Sequence, residues 1–567
     1  MVNFNYEHEN HKKYWLTYII GFITIFAIIF AGGFYTVKPY LDKFVKKEIA
    51  RRSINAEKTE ISIAGKINLK NVIIPTPENI SLKIGAISGR PPISFIPGTF
   101  TLYDVDLKKN NFHVQIPQIS FNNVFLKEKN TEITSRLLQL LMRIDVASTF
   151  APEILFSINH ENKQSETITI NNFHLSGLKN GHIRSISIKN IITNVNLATT
   201  ITNTPKPTFL VAKSDTIKAH NIDIGYTYSL FNEKNNAFHQ DKTVTGPIAL
   251  ENVIIDIFEG EEKNASFSFN KFKTSGLKMR PFEQSPKKLV QDYFNAKNTN
   301  NKEATRQVQS AILINGLSAI TSVDAQIDKA IIDNQKFKAT LETFQFKPSQ
   351  WQQTIPRKLF VSLNNLLISS KEVEKRDGNS LENIDFKHIN FSGELDASYN
   401  EKERVLLLNA ISFNIKDLGS GKISAKITDV DQALFSGHKN AMALASQDLN
   451  ITEINLRYTD TGLFDKLFSY LAQNLGDNTH DLKKELYDDF YLMMTQSPQF
   501  LLKDRDQAAS ISKSLGDFAK NPQTLIITIK AKDSKGLTIN DLETALKNSL
   551  STALSKVNLT IKNEMSH

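Results

Sequence analysis

The chain has 567 residues, a formal net charge of +9 and no cysteine. The lack of cysteine excludes disulfides, thiolate metal sites and cysteine nucleophiles. A mean hydropathy of −0.28 excludes a membrane protein with many spans, and the length leaves room for several domains.

Residues 14–37 form a run without a charged side chain and are predicted to be a transmembrane helix. A helix of this length would extend about 36 Å, which exceeds a hydrocarbon core of about 30 Å. Tyr14, Trp15, Tyr18 and Tyr35 stand near its ends, where aromatic residues contact the membrane interface. The apolar run is longer than the core of a cleaved secretory signal, about 7 to 15 residues, so we expect an uncleaved anchor.

Residues 1–13 are predicted to be a cytoplasmic tail, and residues 38–56 a short basic helix leaving the membrane. We expect its cations to contact anionic headgroups, each contributing about 1 kcal/mol, although a solvated helix face would have the same pattern. These cations are Lys38, Lys43, Lys46, Lys47, Arg51 and Arg52. Read literally, the positive-inside rule places the following residues in the cytoplasm, but long domains translocate largely regardless of charge. We therefore predict the N-terminus inside and the body outside.

Residues 57–457 are predicted to be a β-rich body. Apolar residues alternate with polar ones in run after run, many containing asparagine, as in Ile168-Thr-Ile-Asn-Asn-Phe. One-sided alternation predicts antiparallel sheets with one apolar and one polar face. Either a long curved meander or stacked sandwiches would satisfy the pattern.

Helical spacing interrupts this pattern at residues 131–147 and 286–296, where Ser285 is a candidate N-cap and Pro286 the first helical residue. Residues 458–567 are predicted to be α-rich. Helices are expected near 460–472, 481–494, 504–519 and 541–556, and strands at 524–530 and 557–562. We expect Asn540 to cap the last helix, with Glu543 completing a capping box. The predicted fold is thus a single transmembrane helix, a mainly β antiparallel body and an α-rich C-terminal region.

Catalytic, metal and cofactor motifs are not apparent, and the chain is predicted to be non-enzymatic. The 12 histidines are scattered, and His113 and His174 are interpreted as polar-face residues of strands. Gly419-Ser-Gly-Lys resembles part of a phosphate-binding loop, but a hairpin turn explains it better. An acidic cluster around Gly260 could bind calcium or be a solvated hairpin tip. Its members are Asp256, Glu259, Glu261 and Glu262.

The segment Ile61-Ser-Ile-Ala-Gly-Lys-Ile-Asn-Leu-Lys-Asn-Val-Ile-Ile-Pro-Thr-Pro, behind the anchor and basic helix, resembles the AsmA-like family of bacterial envelope proteins. Ile389-Asn-Phe-Ser-Gly-Glu-Leu and the strand beginning Leu418-Gly-Ser-Gly are similar to later strands of that family. The resemblance implies a periplasmic body. For larger relatives it also implies a curved sheet whose apolar groove serves phospholipid traffic or outer-membrane assembly.

The sequence therefore predicts a single-pass inner-membrane protein with a periplasmic body that supports envelope lipid transport or outer-membrane homeostasis. The alternative is a membrane-anchored scaffold that binds proteins and has no lipid groove. Membrane lipids are the expected partners, with envelope proteins as further candidates. No nucleic-acid module is present. The sequence carries no signal for oligomeric state.

Overall fold

The structure is a computed structural model. It describes residues 43, 47, 55–62, 66–75, 80–90, 97–127, 142–159, 166–196, 208–231, 241–299, 302–352, 355–371, 388–435, 439–475, 479–539, 541–542 and 550–564. The predicted anchor lies outside these residues, and of the basic segment only Lys43 and Lys47 are included, both helical and exposed. Among the residues that the structure describes, no helix is both long and apolar enough to cross a membrane.

The chain divides into two units, residues 1–196 and 197–567. The first unit is an antiparallel meander in which each strand pairs with the next one along the chain. Its strands are β1 (Asn55–Ile61), β2 (Ile67–Pro75), β3 (Ile80–Arg90), β4 (Gly98–Lys109), β5 (Phe112–Leu126), β6 (Ile144–Ile158), β7 (Glu166–Lys179) and β8 (His182–Asn196).

The second unit contains a large antiparallel sheet and a small one. Its strands are β9 (Thr208–Asp223), β10 (Lys242–Thr245), β11 (Ile248–Glu259), β12 (Glu262–Thr274), β13 (Leu277–Met279), β14 (Ile320–Val323), β15 (Ala325–Asn334), β16 (Phe337–Gln352), β17 (Ile355–Ser370), β18 (His388–Asn400), β19 (Val405–Ile415), β20 (Gly419–Thr428), β21 (Asn450–Asp460), β22 (Thr524–Ala531), β23 (Leu537–Thr538) and β24 (Val557–Glu564).

In the large sheet, β9 pairs with β11, β11 with β12 and β12 with β15. From β15 the strands pair in chain order to β22, which pairs with β24, while β23 joins the end of β21. The small sheet has the order β10–β13–β14.

The described α-helices all lie in the second unit, and in the described part of the first unit only residues 43, 47 and 142–143 are helical. They are α1 (Ile224–Leu230), α2 (Pro286–Asn298), α3 (Lys302–Ala319), α4 (Lys439–Gln447), α5 (Leu463–Leu475), α6 (Thr479–Leu501), α7 (Arg505–Lys520) and α8 (Leu550–Ser555). Helix α1 packs on the small sheet, where Tyr226, Leu230 and Val244 form a buried cluster.

The C-terminal helices cover the end of the large sheet through an aromatic core. Phe518 of α7 is almost fully buried and meets Tyr458 of β21 at 6.3 Å and Phe464 of α5 at 5.8 Å between ring centroids. Phe464 stacks on Phe490 of α6 at 4.9 Å. Burial of large aromatic side chains is a strong source of stability. These helices therefore form one layer that packs on the layer of strands beneath them.

A bend line crosses the strands of each unit. Residues with positive φ occur inside many of the strands along it, including Asn71 in β2 (φ 51°), Asn252 in β11 (φ 51°) and Asn365 in β17 (φ 50°). Asparagine tolerates this left-handed conformation better than most residues. These residues have no cross-strand partner, while the strand pairs again on either side of them, so the pleat changes phase there.

Acidic side chains on adjacent strands brace this line. The Asn252 side-chain amide donates to Asp215 of β9 at 2.8 Å. The amides of Asn71 and Asn365 donate to Glu57 and Glu342 on their neighbouring strands. The asparagines that recur in the sequence therefore position a bend.

The mainly β antiparallel body and the α-rich C-terminal part are confirmed, as is the helix at 286–296, which Ser285 caps by accepting from the Lys288 amide at 3.3 Å. Three predicted boundaries were wrong. Strand β6 begins at Ile144, so no helix extends to residue 147, and residues 131–141 lie outside the described chain. Strand β1 begins at Asn55, which shortens the predicted basic helix.

The third correction concerns the predicted helix at 541–556. Asp541 and Thr538 exchange two hydrogen bonds of 3.0 Å, between the backbone amide of each and the side chain of the other. This reciprocal pattern is a capping box that begins at Thr538. Thr538 is therefore the cap that the described residues show, while the predicted cap Asn540 and its partner Glu543 lie outside the described residues.

Candidate apolar binding face

The phase change at the bend line places apolar residues three positions apart on the same face of each strand. In β2, Leu69 and Val72 are both buried and share one cluster with Ile84 of β3. In an unbroken strand, residues three apart would point to opposite faces. The same spacing occurs at Ile84 and Ile87, Leu102 and Val105, Ile116 and Ile119, Ala151 and Ile154, Ile170 and Phe173, and Ile188 and Ile191.

Side chains flanking the bend are the more deeply buried part of this face. Leu69, Val72, Ile84, Ala151 and Ile154 all lie beside the line and are less than a tenth exposed. The partners in the Leu69 cluster come from β1 to β4 alone, which are consecutive strands of one sheet. The burial therefore comes from a sheet that folds towards its own apolar side.

The register aligns this face into continuous apolar lines across the first unit. One line contains Val72, Ile84, Val105, Ile116, Ile154, Ile170 and Ile191. It crosses seven strands, or about 29 Å at about 4.8 Å between neighbours.

The second unit repeats the arrangement. Residues three apart flank its bend line at Leu250 and Val253, Phe269 and Phe272, Ile327 and Ala330, Leu341 and Phe344, and Leu363 and Leu366. A further line contains Phe346, Val361, Leu395, Ile411, Ile423, Leu456, Ile527 and Ile561. It crosses eight strands, or about 34 Å.

Part of this second apolar face is open to solvent. Ile332, Ile368 and Ile389 follow one another on β15, β17 and β18, and each is more than a third exposed. The register sets Ala339 between Ile332 and Ile368, so all three point to the same side. A closed sandwich core would bury such residues almost completely. This row of partly exposed isoleucines is therefore the candidate interaction surface of the second unit.

The opposite face is polar and carries cross-strand ion pairs. Lys263 contacts Asp256 at 2.6 Å, and Lys530 contacts Glu453 at 3.4 Å. Burial would raise the pKa of Asp256, but hydrogen bonds from Lys263 and Ser266 outweigh it and hold that pKa below its usual value. Hydrogen bonding from Asn455 likewise lowers the pKa of Glu453. These side chains suit a solvated surface.

The acidic cluster around Gly260 and the segment Gly419-Ser-Gly-Lys lie on this polar face and its hairpins. Gly260, with φ 65°, turns the hairpin between β11 and β12, so the acidic cluster is a hairpin tip. Gly419 to Lys422 begin β20 directly after a turn from β19, as the hairpin interpretation predicted. Lys422 lines a polar depression of about 380 Å³ with serine and asparagine side chains.

His113 has a carboxylate partner that was not predicted from the sequence. Its Nε2 lies 3.0 Å from Asp106 Oδ2 across the β4–β5 hairpin. His174 pairs in register with Phe150 and Ser187. Within the described ranges, no group of three or more histidine or acidic residues could hold a metal ion.

The sequence does contain the signal for the bent face. The pattern apolar–polar–Asn–apolar occurs at Leu69–Val72, Phe121–Val124, Ile170–Phe173, Ile188–Ile191, Leu250–Val253 and Leu363–Leu366. Strict period-two interpretation assigns the two apolar residues of each pattern to opposite faces. The predicted lipid contacts Lys43 and Lys47 are exposed, while Lys38, Lys46, Arg51 and Arg52 lie outside the described residues, as do Tyr14, Trp15, Tyr18 and Tyr35.

Comparison with known proteins identifies one matched region, at the C-terminal end of the chain. A family model described only as "Uncharacterized protein" matches residues 412–564, from within β19 to the end of β24. No curated protein matches the chain. The matched region coincides with the last strands of the large sheet and the helices that cover them.

Proposed function

We propose that this chain is a non-enzymatic, single-pass inner-membrane protein whose periplasmic β body carries acyl chains on its bent apolar face. In this role it supports envelope lipid transport or outer-membrane homeostasis. The observation that supports this proposal is the row of exposed side chains Ile332, Ile368 and Ile389, on a sheet whose other face carries ion pairs.

The dimensions of the face support a lipid ligand. An acyl chain that fills half of a hydrocarbon core of about 30 Å is about 15 Å long. The apolar lines cross about 29 and 34 Å of sheet, so each unit has room for one or more extended chains. A lipid held there would remove apolar surface from water on both partners, at about 25 cal/mol per Å².

Photocrosslinking tests this proposal. The full chain would be expressed in membranes that contain a phospholipid with a diazirine at the end of its acyl chain, irradiated and digested. We expect crosslinked peptides from residues 326–334, 360–369 and 388–395, with adducts on the apolar side of each strand. Crosslinks confined to residues 14–37 would show a membrane anchor without a lipid-carrying body and would refute the proposal.

The scaffold alternative is supported by one surface of the C-terminal helices. Leu492, Met493 and Phe500 of α6 are exposed, and Phe500 is 82% exposed. Removing all residues after Tyr458 is a poor test, because β22 and β24 complete the sheet and Phe518 packs on Tyr458. Replacing Leu492 and Phe500 with glutamate is sharper. Under the scaffold hypothesis these variants lose copurifying proteins, and under the lipid hypothesis they keep the acyl-chain crosslinks.

A further inference from the structure

Helices α2 and α3 form a hairpin that is firmly attached to the small sheet. The buried Asn315 side chain accepts from the Gln284 amide at 3.0 Å and donates to the Gln284 carbonyl at 2.8 Å. The Arg280 side chain donates to the Ser318 carbonyl at 2.9 Å. Both helices are thereby fixed at the ends nearest the small sheet.

The inner side of α2 is formed by Leu289 and Ala296, which are both buried. Its outer side presents Val290 and Phe294, which are 47% and 54% exposed. These two residues are one turn apart, so they form a single apolar stripe that faces away from the buried side.

Cations stand at both ends of this stripe. Lys287 lies three residues before Val290, and Lys297 lies three residues after Phe294, so all four share one side of the helix. Both lysines are exposed, and neither forms an ion pair with another described residue. The single acidic residue of α2, Asp292, is two positions from Val290 and lies on another side.

Helix α3 carries a similar combination. Leu313 is 62% exposed, and Arg306 stands two turns earlier on the same side. Each helix therefore combines an exposed apolar residue with a cation that has no ion-pair partner among the residues that the structure describes.

We propose that the α2–α3 hairpin docks on the surface of a bilayer that contains anionic lipids. A helix that lies in the headgroup plane places its apolar stripe in the interface, while flanking lysines extend to the phosphates. The stripe has this order, with apolar residues in the middle and a cation beyond each end. This surface is distinct from the bent apolar face, and the inference does not depend on the lipid-carrying role.

Site-specific fluorescence tests the docking. Because the chain has no cysteine, Phe294→Cys or Val290→Cys can be labelled uniquely with an environment-sensitive dye. The labelled full chain is reconstituted in nanodiscs, and large vesicles are added. Brominated lipid is placed in either membrane, with either neutral phosphatidylcholine or 30% phosphatidylglycerol. Leu444→Cys on α4, at a site 66% exposed, is the matched control.

We expect a blue shift and quenching at residue 294 from an anionic membrane and no change at residue 444. Lys287→Gln with Lys297→Gln should weaken this docking roughly 25-fold, at about fivefold for each lysine near an anionic surface. Lys422→Gln with Lys426→Gln removes the same charge from the polar face of the sheet and should leave docking unchanged.

Three results would overturn the proposal. One is the absence of quenching at residues 294 and 290 from either membrane. Another is equal weakening by the control lysine pair, which would indicate attraction by net charge alone. The third is protection of residue 294 only by a copurifying protein, without lipid quenching, which would assign the surface to a protein partner.

Discussion

Polar substitution of the exposed line on the second unit should reduce acyl-chain binding. The variant is Ile332→Thr with Ile368→Thr and Ile389→Thr. Threonine keeps the β-branched shape that strands favour, so the backbone pairing should persist while apolar surface is lost.

The magnitude follows from the exposure of the three side chains. They are 43%, 39% and 36% exposed, and full burial of an isoleucine stabilises by about 1.5 to 3 kcal/mol. A bound chain that covers the exposed part would gain about 0.6 to 1.2 kcal/mol from each residue. Since threonine retains one methyl group, we expect the triple variant to bind about 10-fold to 100-fold more weakly.

The assay is the crosslinking yield of the diazirine phospholipid in residues 326–334 and 360–369, measured against lipid concentration. The matched control is Ile73→Thr with Ile254→Thr and Leu407→Thr. These residues are similarly exposed but point to the polar face. Equal loss in both triple variants would show that the effect comes from general destabilisation and would refute the assignment of the ligand to the apolar face.

Three further predictions concern the fold. Asn252→Ala should destabilise its hairpin by about 1 to 2 kcal/mol, because alanine resists the left-handed conformation and the bond to Asp215 is lost. Asn252→Gly, which accepts that conformation, should cost less in hydrogen-exchange protection, and equal costs would contradict the bend. Phe518→Ala should destabilise the C-terminal helices by about 3 to 5 kcal/mol, seen as loss of exchange protection in α5 to α7 with the first unit unchanged. Burial, and secondly the hydrogen bond to Asp460, raise the pKa of Tyr458. The neutral Tyr458 therefore stabilises the folded state below the unfolded pKa of about 10, and this contribution declines as pH rises beyond it. Tyr458→Phe should flatten the fall of melting temperature between pH 10 and 11, and an unchanged slope would contradict this.

Alternation in the sequence predicted the strands well, because apolar and polar residues alternate along every strand of a sheet that has one solvated face. The hairpin at Gly260 and the helix behind Ser285 were predictable for similar local reasons, a turn residue and a cap. The apolar face was harder to predict. Its two halves fall on one side only because residues such as Asn71 adopt a left-handed conformation, and that choice depends on partners such as Glu57 on another strand.

The helix predicted to end at residue 147 illustrates the opposite difficulty. Ile144 continues the helical spacing of Leu137 and Leu141, but the pairing of β6 with β5 and β7 decides in favour of the strand. The register of the β4–β5 hairpin also brings Asp106 to His113, which the sequence alone did not indicate. Strand pairing, rather than local propensity, therefore determines both the strand at Ile144 and the contact of Asp106 with His113.

The bend line has a consequence for how a ligand would move. In the second unit its left-handed residues Asn252, Lys329 and Asn365 lie on every other strand, so the cross-section there repeats about every 9.6 Å along the sheet. A chain displaced by one such step meets another bend flanked by aliphatic residues, first Leu250 and Val253, then Ile327 and Ala330, then Leu363 and Leu366. The energy along this path is therefore shallow and periodic, which favours one-dimensional diffusion over residence in a single pose.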